Sequence, residues 1–159
     1  MRQADQLHRL HELLLRQRLS IATAESCTGG QLSAALTSLP NASSYMRGGV
    51  VAYQDEVKCH LLSVSAHDLK LYSAVSQEVA EAMALGAQRL FGSDLAIATT
   101  GYAGPTAPEG ELGLVWIGLY TPRGLTAHAL RLNGARSHIC QEATREAIRL
   151  TLEQLSELE

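Results

Sequence analysis

Helix-period and strand-type segments alternate from one end of this sequence to the other, and no linker, repeat or low-complexity tract divides them. A chain patterned in this way buries its apolar surface by laying helices on a sheet, so the fold class is α/β and residues 1–159 are read as a single domain. Leu7, Leu10, Leu13 and Leu14 recur at helical spacing and predict a first helix over Asp5–Arg18. Leu19–Thr23 reads as a strand, and a second helix through Leu32, Ala35 and Leu36 stops near Pro40. Gly48–Tyr53 reads as another strand, followed by a helix whose first turn carries Asp55 and Glu56. Ser76 is a good N-cap for a long helix that ends at Gly92. Leu95–Thr99 is apolar enough for burial on both faces, and Thr100–Pro105 follows it as a loop. Gly113–Tyr120 and Leu125–Leu132 form a hairpin around Pro122 and Gly124, and Ser137–Leu158 closes the chain as a helix.

The chemistry concentrates where a strand meets a helix. Ser26 lies in Ala24-Glu25-Ser26-Cys27-Thr28-Gly29-Gly30, between a buried strand and a glycine-rich helix start whose free N–H groups suit an oxyanion or a phosphate. Local sequence serves equally well for a plain cap, supplied by Ser26 or Thr28. Lys58 follows Tyr53 by five residues, so both side chains can reach one pocket; the bland alternatives are a solvated lysine and a half-buried strand tyrosine. A neutral Lys58 would be a competent base for a serine if burial lowered its pKa. The loop Thr99-Thr100-Gly101-Tyr102-Ala103-Gly104-Pro105 leaves the carboxyl end of a buried strand, where open α/β sheets bind ligands, although a glycine-rich loop is also an ordinary turn.

Composition excludes several classes. A net charge of -3, with no Lys/Arg cluster, gives no basic face for nucleic acid. The longest apolar run is too short to span a bilayer, and the start of the chain lacks a signal-peptide core, which together predict a cytoplasmic protein without membrane contact. Cys27, Cys59 and Cys140 are too widely spaced for a metal motif, and the six histidines show no ligand spacing, so neither a metal nor another cofactor is expected.

Four ordered motifs, A-E-S-C-T-G-G at 24–30, G-G-V-V-A-Y-Q-D-E-V-K at 48–58, A-V-S-Q-E-V-A at 74–80 and T-G-Y-A-G-P at 100–105, together resemble the CinA C-terminal domain family, which includes PncC-like nicotinamide-nucleotide amidases. The likeness runs from about Leu7 to Leu155, in the stand-alone form of a domain that also occurs fused behind a larger one. It implies a three-layer α/β/α sandwich with a mixed sheet and a homodimer or higher homo-oligomer. The activity it implies is hydrolysis of a small-molecule nucleotide, nicotinamide mononucleotide, to nicotinate mononucleotide and ammonia. By resemblance the nucleophile falls on Ser26, with Lys58, Tyr53 and Thr100 as the other catalytic residues. Substrate contacts fall on Thr28, Gly29, Gly30, Gly101, Ala103, Gly104 and Arg136.

The chain departs from the family pattern at three places. Asp55 stands in Y-Q-D-E-V-K where Y-S-N-E-A-K is usual, Thr106-Ala107-Pro108 replaces a glycine-rich continuation, and Gly134-Ala135-Arg136 replaces Gly-Asp-Arg. These changes set two alternatives beside the amidase: a paralogue that binds a nucleotide without turning it over, and a dimeric interaction domain.

Overall fold

The computed structural model describes residues 2–158, so Met1 and Glu159 lie outside the described residues. Five strands, β1 (Ile21–Glu25), β2 (Met46–Val51), β3 (Leu95–Gly101), β4 (Leu114–Thr121) and β5 (Gly124–Arg131), form one sheet in the order β2-β1-β3-β4-β5. β1 runs parallel to both neighbours, whereas β4 is antiparallel to β3 and to β5, so the sheet is mixed. Helices α1 (Gln3–Gln17), α2 (Gln31–Leu36) and α6 (Arg136–Ser156) pack on one face. α3 (Asp55–Leu62) and α5 (Gln77–Phe91) pack on the other, with α4 (Ala66–Tyr72) against α5. The result is the anticipated α/β/α sandwich.

The two faces of the sheet differ in side-chain size. Ile21, Leu95, Ile97, Ile117 and Leu119 join the leucines of α1 and α6 in the larger core. Ala24, Ala96 and Ala98 meet α5 instead, whose own contact residues include Ala84 and Ala87. Small side chains let that helix lie close: a Cβ on Gly118 of β4 would sit 2.2 Å from the Ala80 carbonyl oxygen. The helix starts where expected, with the Ser76 hydroxyl accepting from the Val79 N–H, and stops at Gly92 in a left-handed conformation.

The structure departs from the sequence reading in several elements, beginning with β1, which spans Ile21–Glu25 where Leu19–Thr23 is expected. β2 ends at Val51, which leaves Tyr53 beyond the strand and 54% exposed. β3 runs on through Thr100 and Gly101, because both pair with β4, opposite Trp116 and Val115, and this ladder outweighs the loop tendency of the glycine. α4 was not foreseen: it fully buries none of its residues, so its sequence carries little apolar period, although Ser65 caps it at the Asp68 N–H. Among the described residues, no helix is long and apolar enough to cross a membrane.

Candidate active site

The turn after β1 is built around a buried carboxylate. Glu25, fully buried at the strand end, accepts from the N–H groups of Leu32 and Ser33 at 2.8 and 3.0 Å and thereby caps α2. It also accepts from the hydroxyls of Thr28 and Ser33. The free helix start expected on sequence grounds is therefore largely taken. Gly29 and Gln31 give their N–H groups to the carbonyls of Ser26 and Thr28, and Ser26 gives its own to the Thr99 carbonyl. The N–H groups of Cys27 and Thr28 remain without an acceptor among the described residues. Among the described residues, Ser26 caps nothing through its side chain; its hydroxyl oxygen accepts from Lys58.

Lys58 enters from the opposite face of the sheet. It occupies the first turns of α3 and is only 2% exposed, which sets aside the solvated-lysine reading. Its Nζ donates to Ser26 Oγ at 3.2 Å and to the Tyr53 carbonyl at 3.1 Å, with the Asp55 carboxylate 3.7 Å away. Burial pushes its pKa below the ordinary 10.5, and the Asp55 charge opposes that shift. The arrangement is a nucleophile within hydrogen-bond reach of a base that is partly prepared to give up its proton.

Ser26 and Lys58 face a cavity of about 250 Å³ at the carboxyl ends of β1 and β3. Tyr53, Thr100, Gly101, Ala103, Gly104 and Arg136 also line it, so eight of the residues singled out in sequence come together from four separate segments. Thr28, Gly29 and Gly30 are not among the lining residues, and the Thr28 side chain turns inward to Glu25. Arg136, at the start of α6, donates to the Gly104 carbonyl and, at 2.7 Å, to the Tyr53 hydroxyl. Since Tyr53 accepts from a guanidinium, its own proton is free to point elsewhere. Thr100 is the reverse case: its hydroxyl donates to the Ala74 carbonyl at 2.7 Å, leaving lone pairs for the cavity.

Sequence reasoning gives no role to Cys27, Ala74, Val75 and Tyr102, which also line the cavity, as do two of the departures from the family pattern, Asp55 and Thr106. Ala74 and Val75 lay inside the 74–80 motif, which was the available signal. The Cys27 thiol, beside Ser26, is pushed up to about 12, chiefly by burial and next by nearby Cys140, and so stays protonated. Among the described residues, no group of three or more His, Cys, Asp or Glu side chains is placed to hold a metal.

The profile of the CinA C-terminal domain matches residues 4–155. The chain belongs to this family. A CinA-like protein of Flavobacterium psychrophilum is 36% identical over 148 residues, which are 92% of this chain and 35% of that protein. One from Synechococcus is 51% identical over 119 residues, 74% of this chain and 28% of the relative. The chain thus spans about a third of the length of the curated relatives it matches. Among solved structures, a competence-damaged protein (CinA) superfamily protein from Klebsiella pneumoniae superposes with a TM-score of 0.94 at 33% identity, covering 99% of each chain. The five segments that line the cavity all fall within the CinA match.

Proposed function

We propose that this chain is a nicotinamide-nucleotide amidase that converts nicotinamide mononucleotide to nicotinate mononucleotide and ammonia through a Ser26 nucleophile and a Lys58 base. The observation that carries this reading is the buried Lys58 Nζ, 3.2 Å from Ser26 Oγ in a cavity walled by Tyr53, Thr100 and Arg136. Neutral Lys58 takes the Ser26 proton as Oγ attacks the carboxamide carbon, and the unpaired N–H of Cys27, which lines the cavity, steadies the resulting oxyanion. Collapse of the tetrahedral intermediate breaks the C–N bond, and the Lys58 ammonium, directly or through the Tyr53 hydroxyl, protonates the departing ammonia. Thr100, its own proton committed to Ala74, accepts from the carboxamide N–H. Water, deprotonated by the again neutral Lys58, then cleaves the Ser26 ester and releases the carboxylate.

A second reading, a paralogue that binds a nucleotide without turning it over, draws support from Asp55, whose carboxylate favours the charged form of Lys58. Ammonia release from nicotinamide mononucleotide decides between them. The amidase predicts turnover in the parent chain and its loss in Ser26→Ala, with the thermal midpoint nearly unchanged because, among the described residues, the one side-chain hydrogen bond of Ser26 is to Lys58, whose Nζ keeps the Tyr53 carbonyl as an acceptor. Binding without ammonia selects the paralogue, and full turnover in Ser26→Ala would sink the mechanism.

A further inference from the structure

The turn that carries Ser26 is fastened from beneath by a buried hydrogen-bond chain whose direction is fixed by donor counting. Every group around the Glu25 carboxylate is a donor: the Thr28 hydroxyl at 2.6 Å, the Leu32 N–H at 2.8 Å, and the N–H and hydroxyl of Ser33 at 3.0 and 2.7 Å. Thr28 gives its one hydroxyl proton to Glu25, so across the 2.8 Å contact with Thr99 it accepts. The Thr99 hydroxyl in turn offers a lone pair to the Ser26 N–H at 3.3 Å, beside the 2.9 Å bond from that N–H to the Thr99 carbonyl. The chain therefore reads from the Ser26 N–H through Thr99 and Thr28 to the carboxylate, each hydroxyl polarised by the next. Its parts come from the register of the sheet, since Glu25 pairs with Thr99 across β1 and β3 and both face α2 rather than α5. Neither Glu25, Thr28 nor Thr99 lines the cavity.

We infer that Glu25, acting through Thr28 and Thr99, is the positioning residue that orients Ser26 toward Lys58. The network commits the Ser26 N–H to Thr99, on the side of the turn away from Lys58. Positioning of this kind matters because a misplacement of about 1 Å at a nucleophile costs on the order of a hundredfold in rate. The inference rests on the reading of Ser26 as the nucleophile, but not on the identity of the substrate.

The test is the labelling rate of Ser26 by a fluorophosphonate, a reaction in which Oγ bonds to phosphorus, fluoride leaves and Lys58 takes the hydroxyl proton. Rates are measured on the full chain well below its unfolding temperature, across pH, for the parent, Thr99→Val and Thr99→Ser. Thr99→Val should label at least roughly tenfold more slowly with the pH dependence unchanged, because the surroundings of Lys58 are intact, whereas Thr99→Ser should label like the parent. A folded Thr99→Val with the parent rate overturns the inference. So does a Thr99→Ser that is equally slow, since methyl packing would then be the cause. Should the valine variant fail to fold, Thr99→Ala, which adds no bulk, takes its place with the same two outcomes. A parent that labels at Ser26 but releases no ammonia from nicotinamide mononucleotide refutes the proposed substrate and leaves positioning to be judged on these rates. A parent that does not label at Ser26 overturns both.

Discussion

At the scale of single residues, the tension is between the burial of Lys58 and the charge of Asp55. A base has to be neutral to accept a proton, so the rate should climb as pH rises through the Lys58 pKa. Asp55 holds that pKa up. Asp55→Asn should therefore move the rise to lower pH and increase turnover at neutral pH, and an unchanged pH–rate profile would refute the coupling. Stability responds through the same group. Because the folded-state pKa of Lys58 lies below the unfolded value of 10.5, the unfolded chain binds the extra proton in the interval between them, and stability rises with pH there. Below that interval the buried ammonium is a full cost. Lys58→Met should thus be inactive yet more stable at neutral pH, by roughly 2–4 °C in thermal midpoint for each 1 kcal/mol relieved, with the advantage shrinking as pH approaches 10.5. Equal midpoints in a pH series of melts would count against a buried charge. The Asp55 side of this tuning is legible in sequence, since a spacing of three makes Asp55 and Lys58 neighbours at a helix start; the burial side is not, because the depth of the lysine depends on how α3 meets the sheet.

The elements were legible in proportion to how regularly they bury apolar residues. α5, with Val79, Met83, Ala84 and Ala87 on its inner face and a serine and a glycine at its ends, declares itself from sequence. β3 declares its core but not its end, because pairing of Thr100 and Gly101 with β4 is a long-range decision. α4 is nearly silent, and Tyr53 was assigned to a strand that stops two residues earlier. Glu25 was passed over altogether, although a carboxylate at a strand end followed by a Gly-Gly helix start is what a cap supplied from outside the helix would look like. The start of α6 offers the converse case. Ala135 occupies the N-cap with no side-chain hydrogen bond, where the family pattern has an aspartate. Ala135→Asp should add about 1 kcal/mol of stability, read from chemical denaturation, by accepting from the first free N–H groups of the helix. No gain would mean that those groups are already solvated at no cost.

For the whole molecule, the family and the layered architecture followed from ordered motifs, while the cavity depended on bringing residues 26, 53–58, 100–104 and 136 to one end of the sheet. The central strands that do this, β1 and β3, are parallel and pair residues separated by 74 positions in the chain, as in Ile21 with Leu95. Such a pairing has a consequence in time. Closing a long loop comes before the contacts that reward it, so the sheet centre forms late, and Ser26 cannot be fastened to Thr99 until it has. Reactivity of the serine is then a clock for the end of folding. The single tryptophan, Trp116, sits opposite Thr100 on β4 and reports the same region by fluorescence. In refolding from denaturant, fluorophosphonate labelling of Ser26 should appear with the slowest fluorescence phase and have no faster component. Labelling that runs ahead of the Trp116 signal would mean that the nucleophile is assembled locally, before the sheet.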